Sequence, residues 1–176
     1  TLSLHDALPI GSAVSQVWDY LGTVSASSSA SVGITGAGAY RALRITFHGV
    51  NFASGTVLRG QYYDGSSYIT TGYAGNVQSS TTGAFTSSSA DTSGGLHQNA
   101  TISVTADMSG TLLILNLNST SKKTLFGQLQ YTTGTPTEMF VFISNYNANA
   151  SAMSGFRLIP QLGNINSGTF VFEGLR

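Results

Sequence analysis

The sequence predicts an all-β fold: an antiparallel β-sandwich of about ten strands, jelly-roll-like, with an immunoglobulin-like sandwich as the alternative. Three observations predict it. Apolar residues recur at every second position, best from Tyr40 to Val50, where Leu43, Ile45 and Phe47 share one parity and Arg44, Thr46 and His48 the other. Clusters of Gly, Asn, Asp, Ser and Pro separate such runs at roughly regular spacing. No stretch carries the apolar i, i+3, i+4 pattern of a long helix.

Val17 to Val24, anchored by Trp18, and Ser31 to Thr35 read as the first strands. Tyr40 to Val50 follows, and Asn51 to Gly55 turns the chain. Val57 to Tyr63 is next; Asp64-Gly65 is a strong hairpin signal, so Tyr68 to Tyr73 reads as the returning strand. Gln78 to Gly95 is nearly all Ser, Thr, Gly and Ala around Phe85, a long surface loop with room for one short strand. Ala100 to Thr105 places Ile102 and Val104 on one face, and Asp107 to Gly110 is expected to turn. Thr111 to Leu117 is apolar on both parities, which predicts a central strand covered on both faces. After the polar turn Asn118 to Lys123, Thr124 to Thr132 sets Leu125, Gly127, Leu129 and Tyr131 against Phe126, Gln128 and Gln130. Gly134 to Thr137 turns around Pro136, and Glu138 to Ser144 sets Met139, Val141 and Ile143 against Phe140 and Phe142. Asn145 to Ala150 is a loop, Gly155 to Ile159 a strand stopped by Pro160, and Ser167 to Leu175 the closing strand.

Length and composition bound the function. A chain of 176 residues fits one domain. Residues 1–10 (Thr1 to Ile10) break with the composition of the rest, lack the parts of a signal peptide and resemble a translated sequencing adapter. They are expected to be a non-native leader that adds nothing to the core, with residues 11–176 the single sandwich domain. Seven Lys and Arg balance seven Asp and Glu, and cysteine is absent. Clustered basic residues are missing, which argues against nucleic acid binding. The apolar runs are too short for a membrane-spanning helix, so no membrane insertion is expected. The scattered carboxylates offer no convergent acid, base or nucleophile, so no enzyme activity, catalytic residue or cofactor is expected.

The order of features resembles a known family. Trp18, the Tyr40 to Val50 strand, Leu58-Arg59, Asp64-Gly65 with Tyr68 and Tyr73 behind it, and the apolar strand near Ile114 lead to the ending Ile165-Asn166-Ser167-Gly168-Thr169-Phe170-Val171-Phe172-Glu173-Gly174-Leu175. Over about residues 18–176 this resembles the small β-sandwich virion and tail proteins of tailed bacteriophages. It departs at Phe172-Glu173, where an aromatic next to the last glycine is common. The resemblance implies a non-enzymatic virion component (tail, fibre or head decoration) with a structural or receptor-contacting role, located in the virion or outside the cell, with other virion subunits as partners. It supplies no catalytic residues.

The binding candidates are aromatic. Tyr62, Tyr63, Tyr68 and Tyr73 surround the Asp64 hairpin, and Asn145-Tyr146-Asn147 marks another loop. Ring faces beside amides and hydroxyls suit a cell-surface glycan, so a carbohydrate-binding module of an extracellular protein is the alternative function. Arg44, Arg59 and Arg157 sit in strands short of carboxylates and are interface candidates. Val171 and Leu175 join them, because the last strand is apolar on both parities apart from Glu173. That two-sidedness and the zero net charge predict a homo-oligomer, a trimer by preference, with cover by the Gln78 to Gly95 loop as the other outcome. His48 and His97 lack further ligands in sequence, so no metal site is expected. Glu138 and Glu173 carry no glycosidase motif, and Asp64 is explained by its turn.

Overall fold

The computed structural model describes residues 17–80, 85–89, 92–94, 96, 107–132, 137–146 and 151–176, with side chains at all of them except 85–89, 137 and 138. Among these residues there are strands and no helix. They are β1 (Trp18–Ser29), β2 (Val32–Ile34), β3 (Ala42–Phe52), β4 (Leu58–Tyr63), β5 (Tyr73–Ser80), β6 (Phe85–Ser89), β7 (Asp107–Leu115), β8 (Lys123–Thr132), β9 (Thr137–Tyr146), β10 (Gly155–Pro160) and β11 (Ile165–Leu175).

They form an 8-stranded sheet in the order β1-β11-β3-β7-β8-β9-β5-β6 and a 3-stranded sheet in the order β2-β10-β4. Every pairing is antiparallel. The first strand pairs with the last, the second with the last but one, and successive strands from either end alternate between the sheets. That nesting is the jelly-roll arrangement, and β5 to β9 widen one of its sheets.

Period two decides which side of each strand is buried. In β3 Leu43, Ile45 and Phe47 are inside; in β8 Leu125, Leu129 and Tyr131; in β9 Phe140 and Phe142; in β11 Phe170 and Phe172. The small sheet answers with Val32, Leu58, Tyr62, Phe156 and Leu158, and all of these join one core. Aromatic rings join the layers: Tyr62 of β4 meets Tyr73 of β5 and Tyr146 of β9 at 6.0 Å, and within its own sheet it packs on the edge of Phe156 of β10 at 5.2 Å.

Several segments differ from the sequence reading. Asp107 to Gly110 is not a turn but the first part of β7, because β8 pairs along its whole length and overrides its turn-forming residues. Gly110 has no room for a side chain there: a Cβ would lie 2.5 Å from the Gln128 carbonyl oxygen and 2.7 Å from the Phe47 ring. After the Asp64 turn only Tyr68 bridges back to Tyr63, and the next strand starts at Tyr73 rather than ending there. In the Gln78 to Gly95 stretch β6 is the one short strand for which the sequence left room. The first residues of the stretch complete β5, β6 pairs beside them, and Gly94 accepts a hydrogen bond from the Gly60 amide at the rim of the small sheet. Ala100 to Thr105 and the Pro136 turn lie outside the described residues, as do residues 1–16.

Candidate functional site

The outer face of the large sheet is the molecule's broadest functional candidate. Register places its residues in rows across the strands. One row reads Tyr20, Glu173, Arg44, Leu113, Phe126, Ile143 and Asn76. The next reads Thr23, Val171, Thr46, Thr111, Gln128, Val141 and Gln78. A third holds Trp18, Leu175, Ala42 and Leu115. Leu113, Phe126, Ile143 and Val141 therefore make an apolar centre, flanked by the Arg44 and Glu173 pair, by amides and hydroxyls, and by the apolar third row. Phe126 is 44% exposed, Ile143 54%, Met139 39% and Val141 37%. A solvated sheet face normally carries polar residues at these positions.

At one side of this face Arg44 donates from Nε and Nη2 to both Glu173 oxygens, at 2.6 and 2.7 Å, and lies 4.7 Å from the Trp18 ring centre. The hydrogen bonds from Arg44 hold the Glu173 carboxyl below its ordinary range. The sheet surface is grooved. A hollow of about 410 Å³ runs between Trp18, Arg44, Leu113, Phe126 and Val141. A second, of about 400 Å³, lies over Thr46, His48, Thr111, Gln128 and Gln130.

A second candidate lies on the outer face of the small sheet. Arg59, Gln61 and Tyr63 share the parity opposite the core-facing Leu58, Gly60 and Tyr62 of β4, with Gln61 itself buried, and Arg157 stands opposite Gln61 on β10. Arg157 donates from Nε and Nη2 to Gln61 Oε1, at 3.0 and 2.7 Å. Its guanidinium carbon sits 4.0 Å from the Tyr68 ring centre, and the Tyr68 and Tyr63 rings are 5.0 Å apart. The turn that delivers Tyr68 is locked by Asp64, whose Oδ1 accepts from the Ser66 amide, the Ser66 hydroxyl and the Ser67 amide, each at 2.8 Å. Those bonds lower the Asp64 carboxyl to about 2.

The twelve sequence candidates thus separate. Tyr62, Tyr73 and Tyr146 are 1%, 4% and 4% exposed, so their rings are core and not ligand platforms. Parity carried the signal: Arg59 and Gln61 mark the outer side of β4 and so turn Tyr62 inward, and Tyr146 shares its parity with Phe140 and Phe142. Tyr63 and Tyr68 stay at the surface. Asn145 lines a hollow on the outer face of the large sheet with Asn76 and Ile143, and Asn147 is outside the described residues. Arg44, Val171 and Leu175 share that outer face, whereas Arg59 and Arg157 lie on the opposite side of the sandwich. Phe126, Val141 and Ile143 were not among the candidates, although their parity opposite Leu125, Phe140 and Phe142 marks them as outward.

Among the described residues no three His, Cys, Asp or Glu side chains converge to hold a metal ion. His48 is exposed on the large sheet and His97 is not described. Comparison with protein-family models, with curated proteins and with solved structures found no match to this chain.

Proposed function

We propose that this protein is a non-enzymatic assembly subunit of the virion-component kind its sequence resembles, and that it docks a second copy of itself on the outer face of the large sheet. One observation carries the reading: Leu113, Phe126 and Ile143 stand side by side on three adjacent strands, facing outward. Eight strands about 4.8 Å apart, carrying rows about 7 Å apart, give that face roughly 700 Å². A stable interface needs about 800 Å² per partner, so the face is of the right size. Zero net charge leaves little repulsion between copies. Of the described part of the Gln78 to Gly95 stretch, Gln78 to Ser80 belong to β5, β6 pairs beside them at the edge away from β11, and Gly94 reaches the rim of the small sheet.

Light scattering at tens of micromolar tests the proposal, since association follows mass action. The expected result is a closed oligomer, a trimer by preference, with the Phe126→Lys, Ile143→Lys double variant folded and monomeric. Losing two apolar anchors should weaken association by about 3 kcal/mol or more. A monomeric parent protein would overturn the reading. The second reading, a carbohydrate-binding module, draws on the partly exposed Tyr63 and Tyr68 on the other side of the sandwich. A receptor-contacting subunit can carry both surfaces.

A further inference from the structure

The geometry points to a binding site for a carboxylate-bearing saccharide on the outer face of the small sheet, built by Arg157, Gln61, Tyr63 and Tyr68. It rests on the carbohydrate reading and deepens it by naming the sugar class.

Arg157 is the anchor. A guanidinium has five N–H donors. One from Nε and one from Nη2 are spent on the single oxygen Gln61 Oε1. Of the remaining three, one on Nη1 and one on Nη2 point side by side off the far end of the fork, and the second on Nη1 points along the Cδ side. That end is the arrangement that a carboxylate takes with two parallel hydrogen bonds. No carboxylate among the described residues pairs with Arg157.

The fork is also held still. Gln61 is 5% exposed and donates from Nε2 to the Ser93 carbonyl at 3.4 Å, so its Oε1 is fixed towards Arg157. Tyr68 flanks the guanidinium plane. On the other flank, opposite Arg157 on β2, stands Gly33. The strands approach so closely there that a Cβ on Gly33 would fall 2.6 Å from the Arg157 Cβ, and that flank carries no side chain. Preorganisation of this kind lowers the ordering cost of binding.

Tyr63 and Tyr68 supply the sugar contact. Their rings meet at an interplanar angle of 52°, which leaves ring surface for the C–H face of a pyranose. No protein group among the described residues bonds either hydroxyl, so both can serve sugar hydroxyls. Arg59 adds a second positive charge to the same face. The nearby Asp64 has one oxygen saturated by its own turn. The site lies across the sandwich from Phe126 and Ile143, so it stays open when the large-sheet face is covered.

The test is a titration of the full chain with trigalacturonate, its neutral methyl ester, acetate and a triglutamate peptide. Binding is followed by calorimetry and by the Arg157 Nε–H signal in a ¹⁵N spectrum. The expected result is that trigalacturonate moves that signal and binds about tenfold or more tightly than the ester, acetate or the peptide. Arg157→Gln should lose that tenfold preference, and Tyr68→Ala should weaken both sugars. If Arg157→Gln does not fold, the parent protein's Nε–H response still decides. Equal binding of ester and acid overturns the inference and leaves the carbohydrate reading standing. Binding of the peptide alone, or of no sugar, overturns both.

Discussion

Tyr62 and Tyr73 stack 6.0 Å apart with ring planes within 7° of parallel, yet their hydroxyls have opposite fates. The Tyr73 hydroxyl accepts from the Tyr62 amide at 3.0 Å and donates to the Ile69 carbonyl at 2.9 Å. It closes the backbone where β4 leaves for β5. The Tyr62 hydroxyl is buried and has no hydrogen-bond partner among the described residues. Burial pushes both phenols above their ordinary range, so both are neutral at any working pH. One atom therefore means different things at the two positions. Tyr62→Phe removes an unsatisfied polar group and should stabilise the fold by about 1 kcal/mol. Tyr73→Phe leaves an amide and a carbonyl unpaired and should cost about 2 kcal/mol. Urea denaturation with an unchanged m-value reads both. A Tyr62→Phe protein less stable than the parent would show that the hydroxyl is satisfied after all.

At the scale of the element, the Asp64 hairpin is held by one carboxylate rather than by a ladder. Its folded value of about 2 lies below the 3.8 of an unperturbed aspartate. A depressed carboxyl contributes stability that is whole above the unfolded value and is lost as pH falls through the folded one. The turn should therefore loosen between about pH 4 and pH 2, and Tyr68 with it. An NMR titration of the Asp64 carboxyl carbon and the Ser66 and Ser67 amides follows this directly. In Asp64→Asn those amides should be insensitive to pH over that window. Amides that titrate equally in both proteins would place the acid-sensitive group elsewhere. The hairpin signal itself was legible in Asp64-Gly65, as was the period of β3, β8 and β9, because each is a local property of the chain. What was not legible is what pairing decides. Asp107 to Gly110 looks like a turn until β8 supplies its hydrogen bonds. The two-sided Thr111 to Leu117 stretch announced cover on both faces. Leu112 and Ile114 have it at 0% exposure, Leu115 is 36% exposed on the outer side, and Leu117 is buried in the turn beyond. Three members of the candidate surface site, Tyr63, Tyr68 and Arg157, stood out in the sequence as separate candidates, but their grouping did not, because Arg157 and Gln61 are 96 residues apart.

The described fold is closed by its first and last strands. Asp19 accepts from Arg176 at 2.8 Å across 157 residues, and β1 pairs with β11 along nearly its full length. Inside that pair β2 meets β10, so the outermost contacts of the fold are its longest-range ones. Loop closure must be achieved before such contacts give anything back. β11 is also paired on both sides: it lies between β1 and β3, and its Phe170 and Phe172 are fully buried against Phe47 and the rest of the core. Two consequences follow for folding. Refolding after dilution from urea should take milliseconds to seconds, as for other sandwiches dominated by non-local pairs. A chain ending at Gly163 should show no cooperative unfolding transition, because β1 loses its main partner, β3 loses one edge and the core loses Ile165, Phe170 and Phe172 together. Stopped-flow tyrosine and tryptophan fluorescence measures the first, and thermal melting the second. Microsecond refolding, or a sharp melt in the shortened chain, would mean that β3, β7, β8 and β9 fold as a unit on their own and that β11 is added to a sheet already formed.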